Sequence, residues 1–202
     1  MSFIGFMKEV FKHLVIFVAL VIAFSSLSAC TSTETSENAP AENTTNIVAE
    51  KTPSDYPPIP NAIAQSDLKN LDNSTFKLAD KKGKVVLVNM WATWCGPCRS
   101  EMPRLVKMQE EHRDKDFEII GLDTDDESVA DINAFAKEMN LNYTLVWGDP
   151  DIQNEFLKIS KFPGIPQSFL IDRDGHLRGV FKGANPADVT KMEELVAKVV
   201  NE

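Results

Sequence analysis

The chain has 202 residues, 43% of them hydrophobic, enough for one ordinary globular core with non-globular sequence beside it. Its formal net charge of -9 leaves no basic footprint for nucleic acid. Three cysteines cannot build a framework of several disulfides, so each needs its own explanation: Cys30 stands alone near the N-terminus, while Cys95 and Cys98 are separated by two residues.

In chain order, Lys8, Lys12 and His13 precede the apolar run Leu14 to Phe24, and small residues follow. This is the pattern of an export signal over residues 1–29. At 1.5 Å per residue the run covers roughly 16 Å, about half of a bilayer's hydrocarbon thickness. Counting the longer, interrupted segment Phe3 to Leu27 instead would give an uncleaved anchor with Lys8, Glu9 and Lys12 near one interface. Leu27-Ser28-Ala29-Cys30 resembles the lipobox of bacterial lipoproteins, which implies that Cys30 becomes the lipid-bearing N-terminus and holds the protein to a membrane outside the cytoplasm. Residues 30–60 are rich in Thr, Ser, Glu, Asn, Ala and Pro and are expected to be a disordered tether.

Residues 61–202 alternate strand and helix patterns, the signature of an α/β layer architecture. Residues 66–79 are predicted to form a short hairpin turning at Asp72-Asn73. Val85-Val86-Leu87-Val88 is the β-branched run of a strand buried on both faces, expected at the centre of the sheet. A helix over 97–112, a strand over Phe117 to Leu122 and a helix from about Glu127 to Asn140 follow, the last presenting Val129, Ile132, Phe135, Ala136 and Met139 to the core. A strand at Thr144 to Trp147 leads to a helix capped at Asp149-Pro150. Strands at Gln167 to Asp172 and Leu177 to Phe181 are joined through Asp174-Gly175, so the sheet must be mixed. The final helix, capped at Asn185-Pro186, presents Val189, Met192, Leu195, Val196 and Val199.

The chemistry is expected where the buried strand meets the first long helix, at Trp91-Ala92-Thr93-Trp94-Cys95-Gly96-Pro97-Cys98. Two cysteines at a helix start can close a small disulfide ring, and the free N–H groups and dipole of that helix favour a thiolate. Cys95 is the natural nucleophile and Cys98 the residue that resolves a mixed disulfide, a dithiol exchange that needs no cofactor. His112 and His176 stand alone, with solvated side chains expected, and no metal set converges.

This segment, with Pro103 and Gly164-Ile165-Pro166, resembles the thioredoxin superfamily over about 140 residues, and specifically its membrane-tethered TlpA/ResA-like branch. The resemblance implies an α/β thioredoxin-like fold: a mixed central β-sheet with helices on both faces, an additional N-terminal hairpin, and a central α/β insert from about Asp123 to Pro150. It implies a cis peptide at Pro166, substrate contacts from Trp94, Gly96, Pro97, Ile165 and Pro166, and a helix kink at Pro103. Plain thioredoxins carry an aspartate where this chain has Asn89, which cannot shuttle a proton. Glu101 matches the acidic residue of the ResA-like proteins and is the expected proton carrier for Cys98. Gly-Pro between the cysteines resembles reducing thioredoxins. The expected activity is therefore reduction of disulfides in cell-envelope proteins, apocytochrome c among them, with re-reduction by a membrane electron donor. Two other readings stay open. Thiol peroxidases share this fold, although Ala92 stands where they carry threonine. A copper-handling module would use the two thiols with Met90 or Met102.

Overall fold

The computed structural model describes residues 55–202. The expected signal, Cys30 and most of the expected tether lie outside that range. Among the described residues no helix is long and apolar enough to cross a membrane.

The elements run α1 (Asn61–Ala64), β1 (Asp67–Asn70), β2 (Thr75–Lys77), β3 (Val85–Trp91), α2 (Gly96–His112), β4 (Phe117–Asp123), α3 (Val129–Glu138), β5 (Thr144–Trp147), α4 (Pro150–Ser160), β6 (Gln167–Ile171), β7 (Leu177–Lys182) and α5 (Pro186–Val199). Short 3-10 turns at Leu78–Lys81 and Arg113–Lys115 enter β3 and leave α2. The seven strands lie in the order β2-β1-β5-β4-β3-β6-β7. β3, β4 and β5 are mutually parallel, joined by the crossover helices α2 and α3, whereas β6 and β7 form an antiparallel hairpin on the other side of β3. The sheet is mixed, as the tight turn at Gly175 (φ +88°) requires. By count the middle strand is β4 and not β3, because the N-terminal hairpin adds two strands beyond β5.

Side-chain alternation on β3 builds the two faces. Val86, Val88 and Met90 point to the layer of α1 and α4, where Ile63, Ile152 and Phe156 pack on them, and Phe156 meets Phe169 with ring centroids 4.6 Å apart. Val85 and Leu87 point to the opposite layer with Leu105 and Met108 of α2 and Val189, Met192, Val196 and Val199 of α5. Trp91, on that second face, stacks on Phe135 of α3 at 5.1 Å. Asn89 shares this parity and is therefore directed toward α2.

Three sequence expectations need correction. Val129 is 39% exposed, because as the first residue of α3 it precedes the turn on which Ile132 and Phe135 reach the core. His112 is partly buried edge-on against Phe117, and that burial lowers its pKa. His176 lies 3.6 Å from Asp172 in the β6–β7 turn. Ordered pairing also begins upstream of residue 61: Leu177 N–H donates to Pro57 O at 2.8 Å, Ile59 N–H to Gly175 O at 3.0 Å, and Arg178 covers the Tyr56 ring at 4.3 Å.

Candidate active site

Because β3 is buried along its whole length, the chain leaves it at a fixed point, and the turn Ala92-Thr93-Trp94 delivers Cys95 to the N-cap of α2. Pro97 stands in the first turn of that helix, where a missing N–H leaves no intrahelical bond unmade. Cys95 and Cys98 form a disulfide with S–S 2.00 Å and Cα–Cα 5.3 Å. The backbone N–H of Cys98 points at Cys95 Sγ, 3.2 Å away. In the dithiol state that N–H and the helix dipole stabilise negative charge on the Cys95 sulfur. The two sulfurs differ in access: Cys95 is 3% exposed at the wall of a groove, and Cys98 is fully enclosed.

That groove has a volume of about 430 Å³ and is lined by Trp94, Cys95, Gly96, Pro97, Thr124 and Ile165 among others. The Ile165-Pro166 peptide is cis, so the chain turns there before entering β6, with Pro166 buried and Ile165 half-buried on the groove wall. Trp94 is 68% exposed, while Trp91, three residues earlier at the end of β3, is core. Pro103 lies inside α2 and is exposed, so the bond it cannot donate falls on the solvent side of the helix. All eight sequence-predicted residues within the described range, Trp94, Cys95, Gly96, Pro97, Cys98, Glu101, Ile165 and Pro166, thus come to one end of the sheet or to the helix that starts there. Cys30 lies outside the described residues.

Glu101, one turn after Cys98 on α2, is buried to 3% exposure. Its carboxyl accepts from Asn89 Nδ2 at 2.8 Å, and the same nitrogen donates to Ser168 Oγ at 3.0 Å. Burial raises the Glu101 pKa to about 7, against a smaller opposing effect of the Asn89 hydrogen bond. A carboxyl that titrates near neutrality can take or give a proton near pH 7. Met102 packs in the cluster that holds Cys95 and Cys98, and Met90 lines the groove.

Sequence reasoning did not single out the loop that follows β4. Asp125 accepts the Trp94 indole N–H at 2.6 Å, and Glu127 accepts the Thr93 hydroxyl. Asp123, 1% exposed at the end of β4, takes the backbone N–H of Asp125 at 3.2 Å, and burial raises its pKa to about 7 with the nearby Glu127 and Asp125 charges adding to the shift. The available signal was positional: ligand-facing residues of parallel strands gather at their carboxyl ends, and Asp123 closes β4 where Trp91 closes β3.

Comparison with known proteins agrees with this geometry. The Redoxin family model matches residues 46–196. Thiol-disulfide oxidoreductase ResA of Bacillus thuringiensis subsp. konkukian is 34% identical over 130 residues, 64% of this chain and 72% of the relative. The thioredoxin-like protein YneN of Bacillus subtilis is 32% identical over 117 residues, 57% of this chain and 66% of the relative. Among solved structures, a thiol:disulfide interchange protein of the thioredoxin family from Chlorobium tepidum superposes with a TM-score of 0.60 at 28% identity, over 72% of this chain and 97% of that one. The matched region spans every strand of the sheet and both cysteines, and the chain belongs to the Redoxin family as a ResA-like thiol-disulfide oxidoreductase of the thioredoxin superfamily.

Proposed function

We propose that the Cys95/Cys98 pair works as a reductase of disulfides in cell-envelope proteins. The observation that carries this reading is the asymmetry of the pair: a groove-lining Cys95 sulfur facing an amide donor, with Cys98 enclosed behind it. In the dithiol state the Cys95 thiolate attacks one sulfur of the substrate disulfide and expels the other as a thiolate. Cys98 then attacks Cys95 Sγ in the mixed disulfide, the second substrate thiol leaves, and the Cys95–Cys98 bond forms. Two electrons pass to the substrate, and Glu101 accepts the proton released when Cys98 becomes the nucleophile. Trp94, Gly96, Pro97 and Ile165 line the groove in which an extended substrate segment lies, Ile165 offering it backbone groups while the cis bond to the buried Pro166 sets the turn behind it.

Residues 1–29 act as a lipoprotein-type signal, Cys30 bears the lipid, and the segment to about residue 60 tethers the domain on the extracytoplasmic face of a bacterial membrane. Apocytochrome c, whose cysteines must be reduced before haem attachment, is the candidate substrate, and a membrane thiol-reducing carrier is the candidate electron donor. The protein is equilibrated with glutathione or dithiothreitol buffers and its reduction potential measured. A value near about -270 mV supports the reductase, whereas one near about -120 mV reverses the direction of electron flow.

A further inference from the structure

Plain thioredoxins place an acid at the strand position that Asn89 occupies, yet here that position is not idle. Asn89 is fully buried, and its Nδ2 gives its two N–H groups to Glu101 Oε1 at 2.8 Å and Ser168 Oγ at 3.0 Å. Its Oδ1 is buried without a hydrogen-bond partner among the described residues. Rotated the other way, the amide would set Oδ1 against an oxygen of the Glu101 carboxyl. The orientation adopted leaves one acceptor unsatisfied and turns a donor toward the acid, which suits the ionised form.

We propose that Asn89 is a positioning residue of the exchange reaction: its amide, anchored on Ser168, holds the Glu101 carboxyl in one orientation a helical turn after Cys98 and favours its ionised state. This rests on the reading of Glu101 as the proton acceptor for Cys98. The anchor comes from three elements at once, β3 for Asn89, β6 for Ser168 and α2 for Glu101, and Asn89 and Ser168 are cross-strand partners in the β3–β6 ladder. Tyr143, just before β5, is a titratable neighbour from beyond β4; its phenol pKa is raised by burial and by the Glu101 charge. Cys98 joins it once reduced. The basic residues of α2 nearest in sequence are engaged elsewhere, Arg99 with Glu138 and Arg104 with Glu193. Asp123 of β4 responds to Asp125 and Glu127. The Asn89 amide is thus the polar contact through which the fold adjusts the proton affinity of Glu101.

The full chain, ¹³C-labelled at its glutamate carboxyls, is titrated by NMR in the disulfide state as the native protein, Asn89→Leu and Asn89→Asp, with Glu101 assigned by its absence in Glu101→Gln. Rates of disulfide reduction against pH are taken on the same proteins. Loss of the donor in Asn89→Leu moves the Glu101 midpoint upward by about one unit or more. Asn89→Asp sets two carboxyls against each other, splitting the titration and raising the upper midpoint. A native-like midpoint in a folded variant overturns the proposal, and if Asn89→Leu fails to fold, Asn89→Asp decides. A midpoint that moves while the pH–rate profile stays still upholds the Asn89–Glu101 link and overturns the proton role of Glu101.

Discussion

Trp94 is held to Asp125 by an indole N–H hydrogen bond of 2.6 Å, so the most exposed aromatic side chain beside Cys95 has a fixed direction. The acid comes from the loop after β4, 31 residues away in sequence. Removing it in Asp125→Ala frees the indole, and kcat/KM for a protein disulfide falls by roughly 3- to 10-fold, the worth of about one hydrogen bond. Asp125→Asn keeps an acceptor and loses less. Stopped-flow reduction kinetics, with Trp94 fluorescence as the reporter of mobility, check both; equal rates in all three proteins would sink the idea.

The access difference between the two sulfurs predicts different failures. Cys95→Ser abolishes turnover and leaves no mixed disulfide. Cys98→Ser retains the reachable sulfur and stops at a mixed disulfide with substrate, seen as a covalent adduct by intact-mass spectrometry under non-reducing conditions.

Burial sets a stability dependence on pH. The Glu101 and Asp123 pKa values are raised from 4.5 and 3.8, respectively, to about 7 in the folded protein. Between those limits the folded state binds more protons than the unfolded one, so stability falls as pH rises from about 4 to about 7 and levels off above. Glu101→Gln keeps an acceptor for Asn89 and cannot ionise. It is expected to be more stable than the native chain at pH 8, by about 1 to 3 kcal/mol, and equal to it near pH 4. Urea titrations of the oxidised proteins at both pH values measure the difference.

The same substitution tests the proton step. If Glu101 takes the proton from Cys98, the rise in the reduction rate with pH loses its inflection near 7 in Glu101→Gln. An unchanged profile in a pre-steady-state assay refutes that role.

Gly148 lies where β5 passes the end of β4. A Cβ there would approach Leu122 Cδ2 to 2.2 Å and the Asp123 carbonyl oxygen to 2.6 Å. The backbone cannot yield cheaply, because Gly148 N–H donates to that carbonyl at 2.8 Å. Gly148→Ala should therefore destabilise by about 1 to 3 kcal/mol, read as a lower Tm, and should loosen the loop that carries Asp125.

Much of the architecture was legible because it depends on local rules. The run Val85 to Val88, the cap-and-proline pairs Asp149-Pro150 and Asn185-Pro186, and Gly175 at a hairpin turn each report their own backbone state. Spacing placed Cys95 and Cys98 on one helix start, and family resemblance added Pro166 and Glu101. Residues 129–139 show the limit of periodicity: it found the face of α3 but not where the face ends, and Val129 lies beyond the edge of the core.

Features set by neighbours a few residues apart, namely strand, helix start, cysteine spacing and turn, could be read from the chain alone. Folding in three dimensions brings Asn89, Glu101 and Ser168 into one buried hydrogen-bond cluster and sets Asp125 and Glu127 against Trp94 and Thr93. Those contacts join residues 12 to 79 positions apart through strand register and the parallel β3–β4–β5 crossover, and the proton affinity of Glu101 follows from the desolvation that this assembly imposes.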